Sequence, residues 1–122
     1  MRKFTGLGFN KDKPIMVKNV QAEYVFLNSI VFKDSSLLFC GYERIGSVRS
    51  KKFKGPIDIF IIKGFDKKAR SVFGLDLYIT AYPEINKPDY NPVDMFMNIQ
   101  NIMNNEFDFD IPKCFKIKED RH

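Results

Sequence analysis

An α+β fold is predicted for this chain: an antiparallel β-meander of about six strands packed against one late amphipathic helix, with a C-terminal strand. Three observations predict it. Apolar and polar residues alternate through much of the sequence, in stretches rich in β-branched and aromatic side chains. Clusters of Gly, Pro, Asp and Ser punctuate those stretches as turns do. A capped segment of helical period occurs once, near the end. With 122 residues, 44% of them hydrophobic and 29% charged, the chain is read as a single α+β domain, 1–122, whose core needs no disulfide or metal staple.

The elements follow in order. From Val20 to Phe32 the even positions read Val, Ala, Tyr, Phe, Asn, Ile, Phe, which predicts a strand; Val20, Tyr24, Leu27 and Val31 also fit a helical face. KDSS (33–36) is turn material and leads into a second strand-like run, SLLFCGYERI. Gly55-Pro56 then opens a short strand, IDIFIIKG, and FDKKA turns into RSVFGLDLYITAY. There Phe73, Leu75, Leu77, Ile79 and Ala81 form one apolar face, and these two strands are predicted to make a hairpin.

PEINKPDYNP, with Pro83, Pro88 and Pro92, is a loop, since each proline lacks a donor and fixes its backbone. Asn91 as cap, Pro92 at the first helical position and Asp94 in the first turn predict a helix over 92–105. Its apolar face is Met95, Phe96, Ile99, Ile102 and Met103, opposite a run of asparagines. EFDFDIPKCFKIK returns to alternation, with Phe107, Phe109, Ile111, Phe115 and Ile117 on one side. Pro112 restricts that strand to an edge or a break.

Much chemistry is excluded by composition. The single histidine, His122, leaves Ser-His-Asp and Cys-His nucleophilic systems without a positioned imidazole. Two distant cysteines, Cys40 and Cys114, form no zinc pattern and are expected to be reduced thiols. TGLGFNKDKP has Gly6, Gly8, Lys11 and Lys13 but neither a P-loop ending nor a third fingerprint glycine, and reads as a turn. Asp108 and Asp110 share a strand face but lack further oxygen ligands; Asp58 and Asp76 meet across the hairpin only in one register. No catalytic residue, metal site or cofactor is assigned. No apolar run reaches the ~18 residues of a membrane span, and no signal-peptide stretch opens the chain, so a cytoplasmic protein without membrane contact is expected.

Charge is the most suggestive feature. The formal net charge is +5, yet residues 49–70 alone carry eight Lys and Arg against two Asp. A strand over 56–63 spans roughly 26 Å at about 3.3 Å per residue. That places Arg49, Lys51, Lys52 and Lys54 at one end and Lys67, Lys68 and Arg70 at the other. A Debye length of about 8 Å makes them two patches rather than one.

Together with Arg44, and with Phe53 and Phe65 as stacking aromatics, they are the candidate residues for an anion or partner. Tyr82 and Tyr90, beside the proline loop, are candidate protein contacts. The predicted function is a small non-catalytic binding protein that modulates or inhibits a protein partner by surface complementarity. It would suit a phage or mobile-element accessory such as an anti-defence or immunity protein. The alternative is a nucleic-acid or nucleotide binder using residues 44–70; a second is an enzyme built on carboxylates and lysines. The asparagine face of the late helix leaves homo-oligomeric contact open.

Overall fold

Asn19 opens the one helix found among the described residues. Its side-chain oxygen accepts a 2.8 Å hydrogen bond from the Ala22 amide, satisfying a donor that the first helical turn leaves without a partner. Helix α1 runs Val20–Ser29. The structure, a computed structural model, describes residues 4–82 and 110–118.

The helix replaces most of the strand expected over Val20–Phe32. Ala22, Phe26 and Ile30 recur every four residues and are buried, whereas Val20 and Tyr24, from the same even-numbered set, are 44% and 37% exposed. Cap and four-residue spacing together outweigh alternation, and only strand β2, Ile30–Phe32, survives from the expected strand.

Among the described residues, four strands build the main sheet, in the order β1-β5-β4-β3. β3 (Leu37–Val48), β4 (Ile57–Asp66) and β5 (Ser71–Thr80) form the expected antiparallel meander, and the β4–β5 hairpin pairs without a break from Asp58↔Ile79 to Asp66↔Ser71. β1 (Ile15–Met16) adds a short parallel edge against Ile79 and Thr80. It was not anticipated, and it makes the sheet mixed rather than a pure meander.

β3 carries two irregularities in register, between Phe39 and Gly41 and between Arg44 and Gly46. Gly41 and Gly46 take φ of 153° and 156°, values that side chains disfavour, so glycine accommodates the extra residue at each bulge. A second, two-stranded ladder pairs β2 with β6 (Phe115–Ile117). Of the expected C-terminal strand, the described residues 110–118 form strand only over Phe115–Ile117, after Pro112 and a turn at 113–114; its earlier part, with Phe107 and Phe109, lies outside the described residues. The late helix expected over 92–105 lies outside the described residues.

One face of the sheet is covered. Phe60 and Ile62 of β4 and Leu77 and Ile79 of β5 are fully buried under Phe26 and Leu27 of α1, Ile30 and Phe32 of β2, and Phe115 of β6. Each such side chain contributes roughly 1.5–3 kcal/mol. Aromatic rings close the small ladder and fasten it to the sheet: Phe32 lies 5.1 Å from Phe115 across the ladder, and 5.7 Å from Phe73 and 6.1 Å from Phe39 of the sheet, centre to centre. IDIFII is thus a core strand, with Ile57, Phe60 and Ile62 entirely inaccessible.

Candidate interaction surface

The basic clusters sit at opposite ends of β4, as its length requires, and their surroundings differ. At the β3–β4 end the connection folds on itself. Arg49 donates through Nη1 to the Lys54 carbonyl (3.1 Å), and the Ser50 hydroxyl donates to Asp12 (2.6 Å). Phe53 is only 5% exposed, so the ring offered as a stacking platform is instead packed away. A Cβ on Gly55 would collide with Tyr82, which shows how closely that half-exposed ring lies on the connection. Lys51, Lys52 and Lys54 are exposed. Tyr90 is outside the described residues.

The β4–β5 end is more open. Asp66 accepts from the amides of Lys68 (3.0 Å) and Ala69 (3.1 Å), closing the turn, and Arg70 holds a left-handed φ of 53°. Lys67 binds the turn to its neighbour: its amide donates to Ser36 O (2.8 Å) and its ammonium to Ser35 O (3.3 Å). Lys68 and Arg70 are exposed, and neither side chain has an ion pair among the described residues.

Beside this turn the sheet face opposite the packing of α1, β2 and β6 carries, among the described residues, an exposed apolar row. Leu38 pairs with Phe65 and Phe65 with Val72, so three strands present one side chain each in line. Leu38 is 50% and Val72 80% exposed, with Phe65 half-buried between them. In the next row Lys63 stands between Gly41 and Gly74, which have no side chains to cover its stem. Its ammonium lies 3.4 Å from Glu43, a surface pair that contributes little. On the covered side of the same turn, a cavity of about 490 Å³ is lined by Phe4, Leu37, Asp66, Ala69, Ser71, Phe73 and Gly74.

Arg44 belongs elsewhere. It lies on the covered face, opposite Phe60, and its guanidinium donates to Asp58 at 3.0 Å. Asp58 and Asp76 point to opposite sides of the sheet, because their register partners are Ile79 and Ile61, so the carboxylate pair that another register would allow does not form. The carboxyl near Asp58 is instead Glu23 of α1, which is 1% exposed, with neither oxygen at hydrogen-bonding geometry to any partner. Burial pushes Glu23 up to about 9; Asp58 pushes the same way, and Arg44 only partly offsets them. Sequence reading missed Glu23 because a strand over 20–32 would put it on the solvent side. On a helix its spacing from Phe26 and Leu27 places it with the apolar residues.

The remaining motifs are structural. TGLGFNKDKP forms consecutive turns, and Gly8 accepts from the Tyr78 amide at 2.7 Å along the β5 edge. Cys40 is exposed and Cys114 half-buried, both free thiols, with Cys114 raised to about 11 by burial. Asp108 lies outside the described residues; Asp110 is exposed. Among the described residues no three His, Cys, Asp or Glu side chains converge as metal ligands. No helix there is long and apolar enough to cross a membrane. In comparisons with known proteins, no family model, no curated protein and no solved structure matches this chain.

Proposed function

We propose that this chain is a non-catalytic binding protein that modulates a protein partner through the β4–β5 end of its sheet. The observation that carries the reading is the row Leu38–Phe65–Val72, apolar and largely uncovered, next to Lys67, Lys68 and Arg70. An apolar centre rimmed by charge is the usual anatomy of a protein contact. The partner it fits presents apolar side chains bordered by carboxylates.

The nucleic-acid alternative is weaker. It retains Phe65 and the exposed lysines but loses Phe53 to burial and Arg44 to Asp58.

The test is a stoichiometric complex recovered from a nuclease-treated lysate of cells in which the protein is native, compared with Leu38→Glu/Val72→Glu. Both sites are exposed, so the double variant is expected to fold. Loss of the complex in the variant supports the reading. Equal recovery from both, or a complex that vanishes with nuclease alone, rejects it.

A further inference from the structure

We infer that the cavity under the β4–β5 turn is an anchor pocket for an apolar side chain of an acidic partner segment, an inference that rests on the binding function proposed above. Its floor is apolar: Leu37 is 6% exposed, and the rings of Phe4 and Phe73 stack at 6.2 Å with 12° between their planes. At about 490 Å³ it has room for one or two large side chains. Aromatic and aliphatic anchors seated in pockets of this kind carry most of the energy of many protein contacts.

The mouth selects the neighbours of that anchor. Ala69 and Ser71 lie on it and are both exposed. The only carboxylate in the lining, Asp66, is held in the turn by the Lys68 and Ala69 amides, which both donate to Oδ1. Lys67, Lys68 and Arg70 follow it directly in the turn. Lys68 and Arg70, exposed and without an ion pair among the described residues, and Lys67, whose ammonium is tied to Ser35 O, outnumber the single Asp66 carboxylate. The turn beside the mouth is net positive, which favours Asp or Glu next to the inserted residue.

The pocket opens on the covered side of the sheet, whereas Leu38, Phe65 and Val72 lie on the other. The turn therefore forms a ridge between two apolar features. A segment draped over it reaches both while its carboxylates meet the basic residues.

The experiment pans a random dodecapeptide display library on the immobilised full-length chain. Enriched peptides are then titrated by fluorescence polarisation against four proteins: wild type, Ser71→Trp, Lys68→Glu/Arg70→Glu and Val72→Glu. Ser71→Trp places an indole at the pocket mouth from an exposed position, and circular dichroism and thermal melts verify that each variant is folded.

Enrichment of Phe, Leu, Ile or Met beside Asp or Glu is expected, with at least tenfold weaker binding to Ser71→Trp and to the double charge reversal. Peptides that bind folded Ser71→Trp as well as wild type overturn the pocket. If those same peptides lose binding to Val72→Glu, the open-face reading stands while the pocket fails. Binding lost with Ser71→Trp but kept with Val72→Glu supports the pocket and counts against the open face. No enrichment over an uncoated surface, or enrichment of peptides without acidic residues, also overturns the inference.

Discussion

Glu23 carries a clear electrostatic penalty in this fold, because a carboxyl that is ordinarily ionised at neutral pH is buried on α1 beside the Asp58 carboxylate. Its folded-state pKa of about 9 lies far above the 4.5 of an exposed glutamate. Between those values the folded chain keeps a proton that the unfolded chain releases. The stabilising contribution is therefore full below about pH 4.5 and is lost as pH rises towards 9. Glu23→Gln keeps the shape and removes the titration. Its urea midpoint is expected to exceed that of the wild type at pH 8 and to change less between pH 5 and 9. A variant as pH-dependent as the wild type would sink this assignment.

Packing offers a second test at the residue scale. A Cβ on Gly64 would come within 2.5 Å of the Phe73 ring, which lies across the glycine on the neighbouring strand. Gly64→Ala is expected to cost about 1–3 kcal/mol of stability by overpacking, read from chemical denaturation. An unchanged midpoint would mean that the ring yields freely.

At the scale of elements, sequence and structure part where two periods compete. β4 and β5 were legible because their turn residues and apolar alternation agree, and the apolar face of Phe73, Leu75, Leu77 and Ile79 is the face that packs inward. α1 was legible only as an alternative to a strand, through Val20, Tyr24, Leu27 and Val31, because Ala22, Phe26 and Ile30 satisfy both a period of two and a spacing of four. Asn19 breaks the tie, because its side chain caps the first turn through the Ala22 amide. Asn19→Ala is expected to destabilise the chain by about 0.5–2 kcal/mol, with a loss of helical circular dichroism on mild heating. β1 escaped notice because two residues, Ile15 and Met16, are too short to show any period, and their pairing with Ile79 and Thr80 is entirely non-local.

For the molecule as a whole, the sequence made the charge legible but not the surface around it. It put two basic groups at opposite ends of β4. It could not say that one end buries Phe53 while the other leaves Leu38 and Val72 exposed, since burial at a turn depends on which chain segment folds over it. The two ends are expected to act independently, being roughly 30 Å apart along β4 and separated by several Debye lengths. Reversing Lys51, Lys52 and Lys54 to Glu should leave partner affinity within about twofold of wild type, whereas Lys68→Glu/Arg70→Glu should lower it at least tenfold. Titration calorimetry at two salt concentrations checks both. Equal losses from the two variants would mean that the partner spans the full length of the strand.

The two-residue strand β1 has a kinetic consequence. The β3–β4–β5 meander joins neighbours in sequence and can form early, while Ile15 must return across more than sixty residues to meet Ile79. Docking of β1 is then a late step of folding and an early step of partial opening. When it lifts away, Val17 leaves with it, and the edge of β5 at Ile79 and Thr80 is left unpaired, a template for pairing with other chains. Amide exchange at Val17, whose N–H donates to Thr80 O at 2.9 Å, should therefore outpace exchange in the centre of β4, and its rate should track the tendency of the purified protein to aggregate.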